Sequence, residues 1–402
     1  MRVLISGASI AGPVLAYWLN NYGFDVTVVE RAPTLRKTGG HAVDLFRPAM
    51  DISEKMGVLS RIEALATGTT RLKIFREGRP QPIDADLTRI YGASSDRHVE
   101  IMRDDLSEIY YAAGRDDVEY VFGDSITSIG HDGEVTFEHG PERSFDVIVG
   151  ADGLHSNVRH LTFGKEAGLT RFLGGYLAVV SVPKSLAERG EMVGHVGVGR
   201  LAAIYTAEHL DDARAIFMFR SKDELDYEHR DSVRQQELLR VAFAGMHPQV
   251  AGWLAEMDRT PAFYFDSITQ LRLDIWSRRR VTLVGDAGYC PGPAVGGSTS
   301  LAVLGSYVLA GELARADGDH LHAFAAYELA MREPVHLSRA FARGAAKGII
   351  PGSRGGVWAL TRGAQLVSSM PASLSRALAK LNTKGVRMHD SMQVPDYSGV
   401  GV

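Results

Sequence analysis

Residues 2–6 (Arg-Val-Leu-Ile-Ser) are a short apolar run stopped by Gly7, the pattern of a strand buried on both faces of a parallel sheet. Residues 12–22 follow as a helix. Pro13 sits in its first turn, where a missing N–H removes no helical hydrogen bond, and Gly23 ends it. Residues 25–29 (Asp-Val-Thr-Val-Val) make a second apolar strand, closed by Glu30. Strand, helix and strand joined by short connections predict a βαβ opening.

Beyond it, 31–70 reads as loop and helix, with a turn at Gly39-Gly40 and a helix over 47–57. Residues 71–92 alternate in a strand-like way although they contain Pro80 and Pro82, and they are assigned to a second domain. A helix is predicted over 103–114, short strands over 118–122, 125–130 and 134–138, and a buried strand over 145–149, just before Gly150. Residues 172–182, 192–206, 213–220 and 262–273 have strand composition, and 231–246 fits an amphipathic helix that would cover their sheet. The buried-strand pattern returns at 280–284, and 297–316 reads as a long helix. The tail from about 345 is expected to hold helical stretches broken by Pro351, Gly352 and Gly355-Gly356.

Composition narrows the function. The chain has 402 residues, 45% of them hydrophobic, enough for a substantial core and a deep ligand cavity. A formal net charge of −4 argues against nucleic acid as a partner, and the Arg278-Arg279-Arg280 run is too short to change that. The lone cysteine, Cys290, permits no intrachain disulfide, which fits a cytoplasmic location. It reads as a small buried filler. Gly7 arrives before a signal-peptide core could develop, and no run of 18 apolar residues suggests a membrane span.

The first turn carries chemistry. Gly7-Ala8-Ser9-Ile10-Ala11-Gly12 fits the dinucleotide fingerprint G-x-G-x-x-G, with Ser9 at the middle glycine. Gly7 allows the tight turn, Ser9 stands where the backbone approaches a pyrophosphate, and Gly12 lets helix and strand pack closely. The helix N-terminus attracts the phosphate charge. Glu30, with Arg31 beside it, ends the second strand, where a carboxylate can accept hydrogen bonds from ribose hydroxyls.

Two further motifs follow: Gly150-Ala151-Asp152-Gly153-Leu154-His155-Ser156-Asn157-Val158-Arg159 and Gly285-Asp286-Ala287-Gly288-Tyr289-Cys290-Pro291-Gly292-Pro293. The trio, in this order over about residues 1–345, resembles the para-hydroxybenzoate hydroxylase-like family of class A flavin monooxygenases. Gly39-Gly40-His41-Ala42-Val43-Asp44-Leu45 resembles the branch that includes tetracycline-modifying monooxygenases. The resemblance implies an α/β fold: a Rossmann-type, GR2-like FAD-binding domain, an interrupting mixed β-sheet substrate domain and C-terminal helices. The expected boundaries are 1–70, 99–170 and 275–345 for the first, 71–98 and 171–274 for the second, and 346–402 for the helical segment.

It also implies residue roles. Asp286 would bond the flavin ribityl chain, and Asp152, with Gly153, would lie near the pyrophosphate. Pro293 would sit beside the isoalloxazine, and Gly296, Gly297, Ser298 and Thr299 would open a helix towards the flavin pyrimidine. Reduced flavin carries negative charge there, which a helix N-terminus stabilises. Arg103 would contact the FAD phosphates or ribityl, and Gly40, Val43 and Asp44 would belong to the mobile-flavin loop. The sequence departs from the family pattern at Gly288-Tyr289, at Ser298 and Ser300, and at Gly305.

The implied reaction is NADPH- or NADH-dependent hydroxylation of an aromatic or polyketide-like small molecule, with O₂ as co-substrate, through a flavin C4a-hydroperoxide. The reductant would bind transiently, and no catalytic acid or base stands out. Substrate candidates are His41, Tyr289 and the strand residues Tyr205, Phe217, Phe219 and Tyr264, of which half would face a cavity because strand side chains alternate. Arg200 and His195 read equally as anion ligands or as surface residues. Metal-ligand spacings such as H-E-x-x-H or C-x-x-C are absent, so no metal is expected, and a missing G-x-S-x-G disfavours a serine hydrolase. The alternatives are Baeyer–Villiger or other flavin redox chemistry on a non-aromatic substrate, and a catalytically silent FAD- or ligand-binding protein.

Overall fold

Parallel strands that feed each other through helices make the first layer of the molecule. The computed structural model describes residues 1–35, 40–95, 97–164, 168–229, 231–260, 262–294, 297–370 and 392–400. Its six-stranded sheet runs Ser277–Arg278, Val281–Leu283, Val147–Gly150, Arg2–Ser6, Asp25–Glu30, Glu119–Phe122, all parallel except the first pair. Val3, Leu4, Ile5, Val147, Ile148, Val149 and Leu283 are fully buried, as continuous apolar runs require in a sheet covered on both faces. The predicted strands at 2–6, 25–29, 145–149 and 280–284 are all here.

The helix Ala11–Asn21 packs on the long helix Ser298–Arg315. Ser306 Oγ bonds Ala11 O at 2.9 Å, and the Trp18 and Tyr307 rings meet edge-on at 4.8 Å. The first-turn glycines are there for space. Gly7 has φ +109°, and a Cβ on it would stand 2.6 Å from Ala151 O; one on Gly12 would stand 1.9 Å from Gly7 O.

The second layer is a seven-stranded mixed sheet. Its order is Phe263–Leu271, Thr170–Pro183, Asp212–Arg220, Arg200–Tyr205, Glu191–Gly197, Arg71–Arg76, Ile83–Asp86, with one parallel pair, 191–197 against 71–76. Alternation gives it two apolar faces. One face, with Tyr176, Ala178, Ile204, Ala215, Phe217, Phe219 and Phe265, packs with Leu239, Phe243, Val250 and Trp253 of the helices Ser232–Phe243 and Pro248–Ala255. The opposite face, with Leu177, Val179, Met218 and Ile268, packs with Ala342 and Ala346 of the helix His320–Ile349.

Several segments differ from expectation: 31–70 also holds a strand, Ala42–Phe46, and 192–206 is a hairpin of two strands, Glu191–Gly197 and Arg200–Tyr205. The stretch 71–92 is two strands and then a helix, Leu87–Ser94, with Pro80 and Pro82 in the connecting turn, where no ladder needs their N–H. The thirty-residue helix His320–Ile349 was not foreseen; Asp319 caps it by accepting from the Leu321 and His322 amides, and it continues through Pro334. Gly355-Gly356 does not break the tail. It lies in the first turn of the helix Arg354–Ser369, where Ser353 Oγ accepts from Gly356 N–H. Finally, Tyr397 returns to the first layer. Its ring meets Tyr307 at 5.3 Å and its hydroxyl donates to Glu312 at 2.6 Å.

Candidate cofactor and active site

A cleft of about 480 Å³ opens along the carboxyl ends of the parallel strands, where Gly7, Ser9, Glu30, Arg31, Gly40, Arg103, Asp152, Gly153 and Tyr264 meet. Ligands of open α/β sheets bind at such an edge. Glu30 is fixed by two backbone donors, Ala8 N–H at 3.0 Å and Ala32 N–H at 2.8 Å, so its carboxylate has one orientation over the glycine turn. Ser9 is held by Arg103 Nη2 on its hydroxyl, 3.2 Å, and by Ser107 Oγ on its carbonyl, 2.8 Å. Ile10, at the N-cap, offers the helix beginning at Ala11 and Gly12 no side-chain acceptor, so its first amides are uncapped.

Asp152 lines the cleft wall, but its oxygens serve the next helix. Oδ1 accepts from Ser156 Oγ, and Oδ2 accepts from the Asn157 and Val158 amides at 2.8 and 3.0 Å. Burial raises its pKa and these hydrogen bonds oppose the rise. Arg159, the last residue of the second motif, is fully buried. Its Nη1 donates to Ala287 O at 2.9 Å and its Nη2 to Leu154 O at 2.6 Å, joining the second motif to the third.

In the third motif, the Asp286 carboxyl is pushed above the usual carboxylate range by burial, with Arg103 and the neighbouring Cys290 thiol opposing. Its Oδ1 is buried and has no hydrogen-bond partner among the described residues. Pro293 follows, next to Ala294 at φ +61°. Gly297, at φ +63°, is the N-cap of the helix Ser298–Arg315, which contains Thr299 and has no side-chain cap. Gly296 and Gly39 lie outside the described residues.

The segment 40–42 is held on four sides. Gly40 N–H donates to Asp104 Oδ2 at 2.9 Å, and Gly40 O accepts from Arg214 Nε at 3.0 Å. Arg103 N–H donates to His41 O at 3.1 Å, and Ala42 N–H donates to the Tyr205 hydroxyl at 2.7 Å. Val43 and Asp44 continue into the strand Ala42–Phe46, where Asp44 Oδ1 pairs with His98 Nε2 at 2.7 Å. Desolvation, helped by Arg103, lowers the His41 pKa to about 4, so the ring is neutral near neutral pH; it lies 6.0 Å from the Tyr264 ring.

An uncapped helix start, a fixed acidic residue at the end of the second strand, and an orphaned buried carboxylate oxygen suit a ligand with a pyrophosphate, a ribose and a polyhydroxyl chain. The comparisons agree. A family model described as FAD binding domain matches residues 1–319. The chain belongs to that family. It is an FAD-dependent monooxygenase of class A. An uncharacterised protein of Mycobacterium tuberculosis is 42% identical over 81% of this chain and 88% of its own length. A flavin-dependent monooxygenase of Legionella longbeachae is 34% identical over 85% and 87%. Among solved structures, the tetracycline destructase Tet(55) superposes with a TM-score of 0.82 at 31% identity, covering 98% of each chain. Klebsiella pneumoniae HpxO, complexed with FAD and uric acid, shares the fold at a TM-score of 0.73 and 22% identity, over 96% of this chain and 97% of its own.

Two departures from the family pattern acquire a physical sense in this monooxygenase. Ser300 Oγ accepts from Phe46 N–H at 3.0 Å and reaches Asp44 O at 3.4 Å, tying the long helix to the strand after the 40–42 segment. Tyr289 is fully buried behind the cleft, against the Trp276 ring at 4.8 Å, and Gly305 leaves room for its hydroxyl.

Other candidates also lie elsewhere. Tyr205 is fully buried and anchors Ala42. Phe217 and Phe219 meet Phe243 at 5.1 and 6.1 Å, on the face turned away from Arg214, Ile216 and Met218. Arg200 donates to the Ala242 and Ala244 carbonyls at 3.0 Å each and pairs with Glu77. His195 bonds Gln249 Oε1 at 2.9 Å. Arg214, buried between Ala213 and Ala215, holds Gly40 O, a role that no sequence motif marks.

Proposed function

We propose that this monooxygenase takes electrons from NADPH or NADH and hydroxylates an aromatic or polyketide-like small molecule, using O₂. The observation that carries the reading is the part of the wide sheet nearest the cofactor segment: partly exposed Ile216, on the same face as Arg214, which donates to Gly40 O, and Tyr264, in the cleft lining beside His41. An apolar and an aromatic side chain there suit a flat, largely apolar ligand oriented by a few polar groups. The structural likeness to a protein named tetracycline destructase supports a fused-ring phenolic as the first substrate class to try.

Bound FAD would supply hydride acceptance and oxygen activation. The chain would supply the rest. The amides opening the helix at Ala11 and Gly12 would hold the pyrophosphate, and Glu30 would accept from the ribose. Asp286 would bond the ribityl chain, and Arg103 would approach the phosphate or ribityl oxygens. Gly297, Ser298 and Thr299 would present uncapped amides where charge collects on the reduced ring. Val43 and Pro293 would flank the ring, and neutral His41 would orient the substrate without adding a charge. The same reading divides the chain into an FAD-binding domain (1–70, 99–170, 275–345), a substrate sheet (71–98, 171–274) and C-terminal helices, and places it in the cytoplasm. None of the described helices is long and apolar enough to cross a membrane.

The test is the visible spectrum of the purified protein, then NADPH and O₂ consumption with a panel of phenols and tetracyclines, and product structure by NMR. Substrate-stimulated consumption with a ring hydroxyl in the product supports the reading. An inserted ester oxygen replaces it with a Baeyer–Villiger reaction. Protein that stays colourless with added FAD overturns it.

A further inference from the structure

We propose that His155, His229 and Asp266 form a binding site for a divalent transition-metal ion of the zinc class at the rim of the cofactor cleft. The three residues come from three separate segments: the second motif, the segment before the helix Ser232–Phe243, and the strand Phe263–Leu271. One ligand atom from each lies within 4.8 Å of the other two. His155 Nε2 and Asp266 Oδ2 are 3.1 Å apart, and the two imidazole rings are 3.9 Å apart at 36°. An ion about 2.0–2.2 Å from each ligand separates neighbouring ligand atoms by roughly 3–3.5 Å, within a small side-chain adjustment of this arrangement.

The donor set selects the ion. Two imidazoles and one carboxylate suit zinc and its borderline neighbours rather than magnesium or calcium, which take oxygen donors. Asp266 is the built part of the site. Its side chain is 6% exposed, and its second oxygen, Oδ1, accepts from Ser267 N–H at 2.8 Å, which fixes the direction of Oδ2. Two imidazoles beside a buried carboxylate oxygen are donors that one cation can satisfy together. His155 is 46% exposed and lines the cleft, which gives the ion a way in.

A bound ion would fasten the second motif to the substrate sheet at the mouth of the cleft and slow the departure of FAD. Three protein ligands leave a coordination position for water or an anionic oxygen. The proposal does not depend on which substrate is oxidised.

The test uses the FAD-loaded full chain, stripped of metal with a chelator and titrated with zinc sulfate against a chromophoric chelator. The same titration with cobalt reads the ligand field in the visible spectrum after subtraction of the flavin bands. One equivalent of tight binding is expected, weakened at least roughly tenfold by either His229→Ala or Asp266→Asn, and retained in His247→Ala. FAD release, followed by fluorescence, should slow in zinc-loaded wild type and not in His229→Ala. Should Asp266→Asn lose FAD or misfold, exposed His229→Ala carries the test alone. No retained ion, or affinity untouched by His229→Ala, overturns the proposal and leaves a hydrogen-bonded His155–Asp266 latch.

Discussion

A Cβ placed on Gly305 would stand 1.9 Å from the hydroxyl oxygen of Tyr289. The two positions are 16 apart in the chain (305 − 289), and each departs from the family pattern by itself; in the fold they are one feature. The Tyr289 hydroxyl lies 3.1 Å from that of Tyr327, which also reaches Leu283 O at 3.0 Å, so the ring cannot withdraw. Gly305→Ala is therefore expected to cost about 1–3 kcal/mol by overpacking. Tyr289→Phe should cost about 1 kcal/mol, since Tyr327 keeps Leu283 O. The double variant should be more stable than the sum of the two losses predicts. Urea midpoints of the four proteins measure this, and strict additivity would show that the two residues do not meet.

Tyr205 makes the next case, because a residue read as facing substrate instead holds Ala42 N–H at 2.7 Å. Tyr205→Phe keeps the packing and leaves that amide without its partner. A loss of about 1–3 kcal/mol in stability is expected, with faster FAD release, since the 40–42 segment loses one of four anchors. Stopped-flow fluorescence of FAD release is the measurement. A stable variant with an unchanged release rate would separate this anchor from the cofactor.

The parallel layer was legible because its signals are local: an apolar run of five, a glycine turn, a helix, another apolar run. The cleft residues of the first and second motifs, Gly7, Ser9, Asp152 and Gly153 among them, were legible for the same reason. The facing of the wide sheet was not. Phe217 and Ile216 are adjacent in the apolar run 215–219, so alternation says that one faces each way but not which. The answer comes from Phe243 on one side and from Ala342 and Ala346 on the other. The partnership of His155, His229 and Asp266 left no spacing to read, since the three lie far apart in sequence. Pro334 and Gly355-Gly356 imitate breaks, because local propensity is blind to helices held by packing and capping.

That facing has a measurable consequence. Phe217 is fully buried, so Phe217→Ala should cost about 3–5 kcal/mol, with KM for the eventual substrate changed little in protein that remains folded. Ile216→Ala removes fewer atoms from a partly exposed position on the cofactor-side face, and should raise KM with a much smaller loss of stability. Thermal midpoints and steady-state kinetics on both variants decide it; a KM effect confined to Phe217→Ala would reverse the assigned faces.

Two histidines set an acid limit. Burial lowers both His41 and His195 from 6.5 to about 4. The unfolded chain then binds more protons than the folded one between these values, so stability is fully present above pH 6.5 and falls as pH drops towards 4. His195 is stacked on Phe75 at 5.1 Å and on His247 at 4.1 Å, away from the cleft, so His195→Phe should flatten part of the decline. Urea midpoints at pH 7.5 and pH 5 provide the comparison. An equal decline in the variant would assign the acid sensitivity to other groups.

Asp286 gives the sharpest contrast, because its structural and functional consequences have opposite signs. A buried carboxylate oxygen without a hydrogen bond is a cost to the folded chain by itself, and the raised carboxyl pKa expresses the same penalty. Asp286→Ala removes that oxygen. In protein freed of FAD, the variant should be as stable as the parent or more so, by up to about 1–3 kcal/mol. With FAD present, the order should invert: the parent gains stabilisation in proportion to the logarithm of ligand concentration over Kd, and the variant, lacking the ribityl acceptor, gains much less. Asp286→Asn keeps the shape and a carbonyl acceptor, and should fall between the two. Thermal midpoints of the three proteins over a range of FAD concentrations separate the terms. Were Asp286→Ala less stable without FAD and equally responsive to it, the carboxylate would be a structural residue, and the ribityl contact would have to come from elsewhere in the cleft.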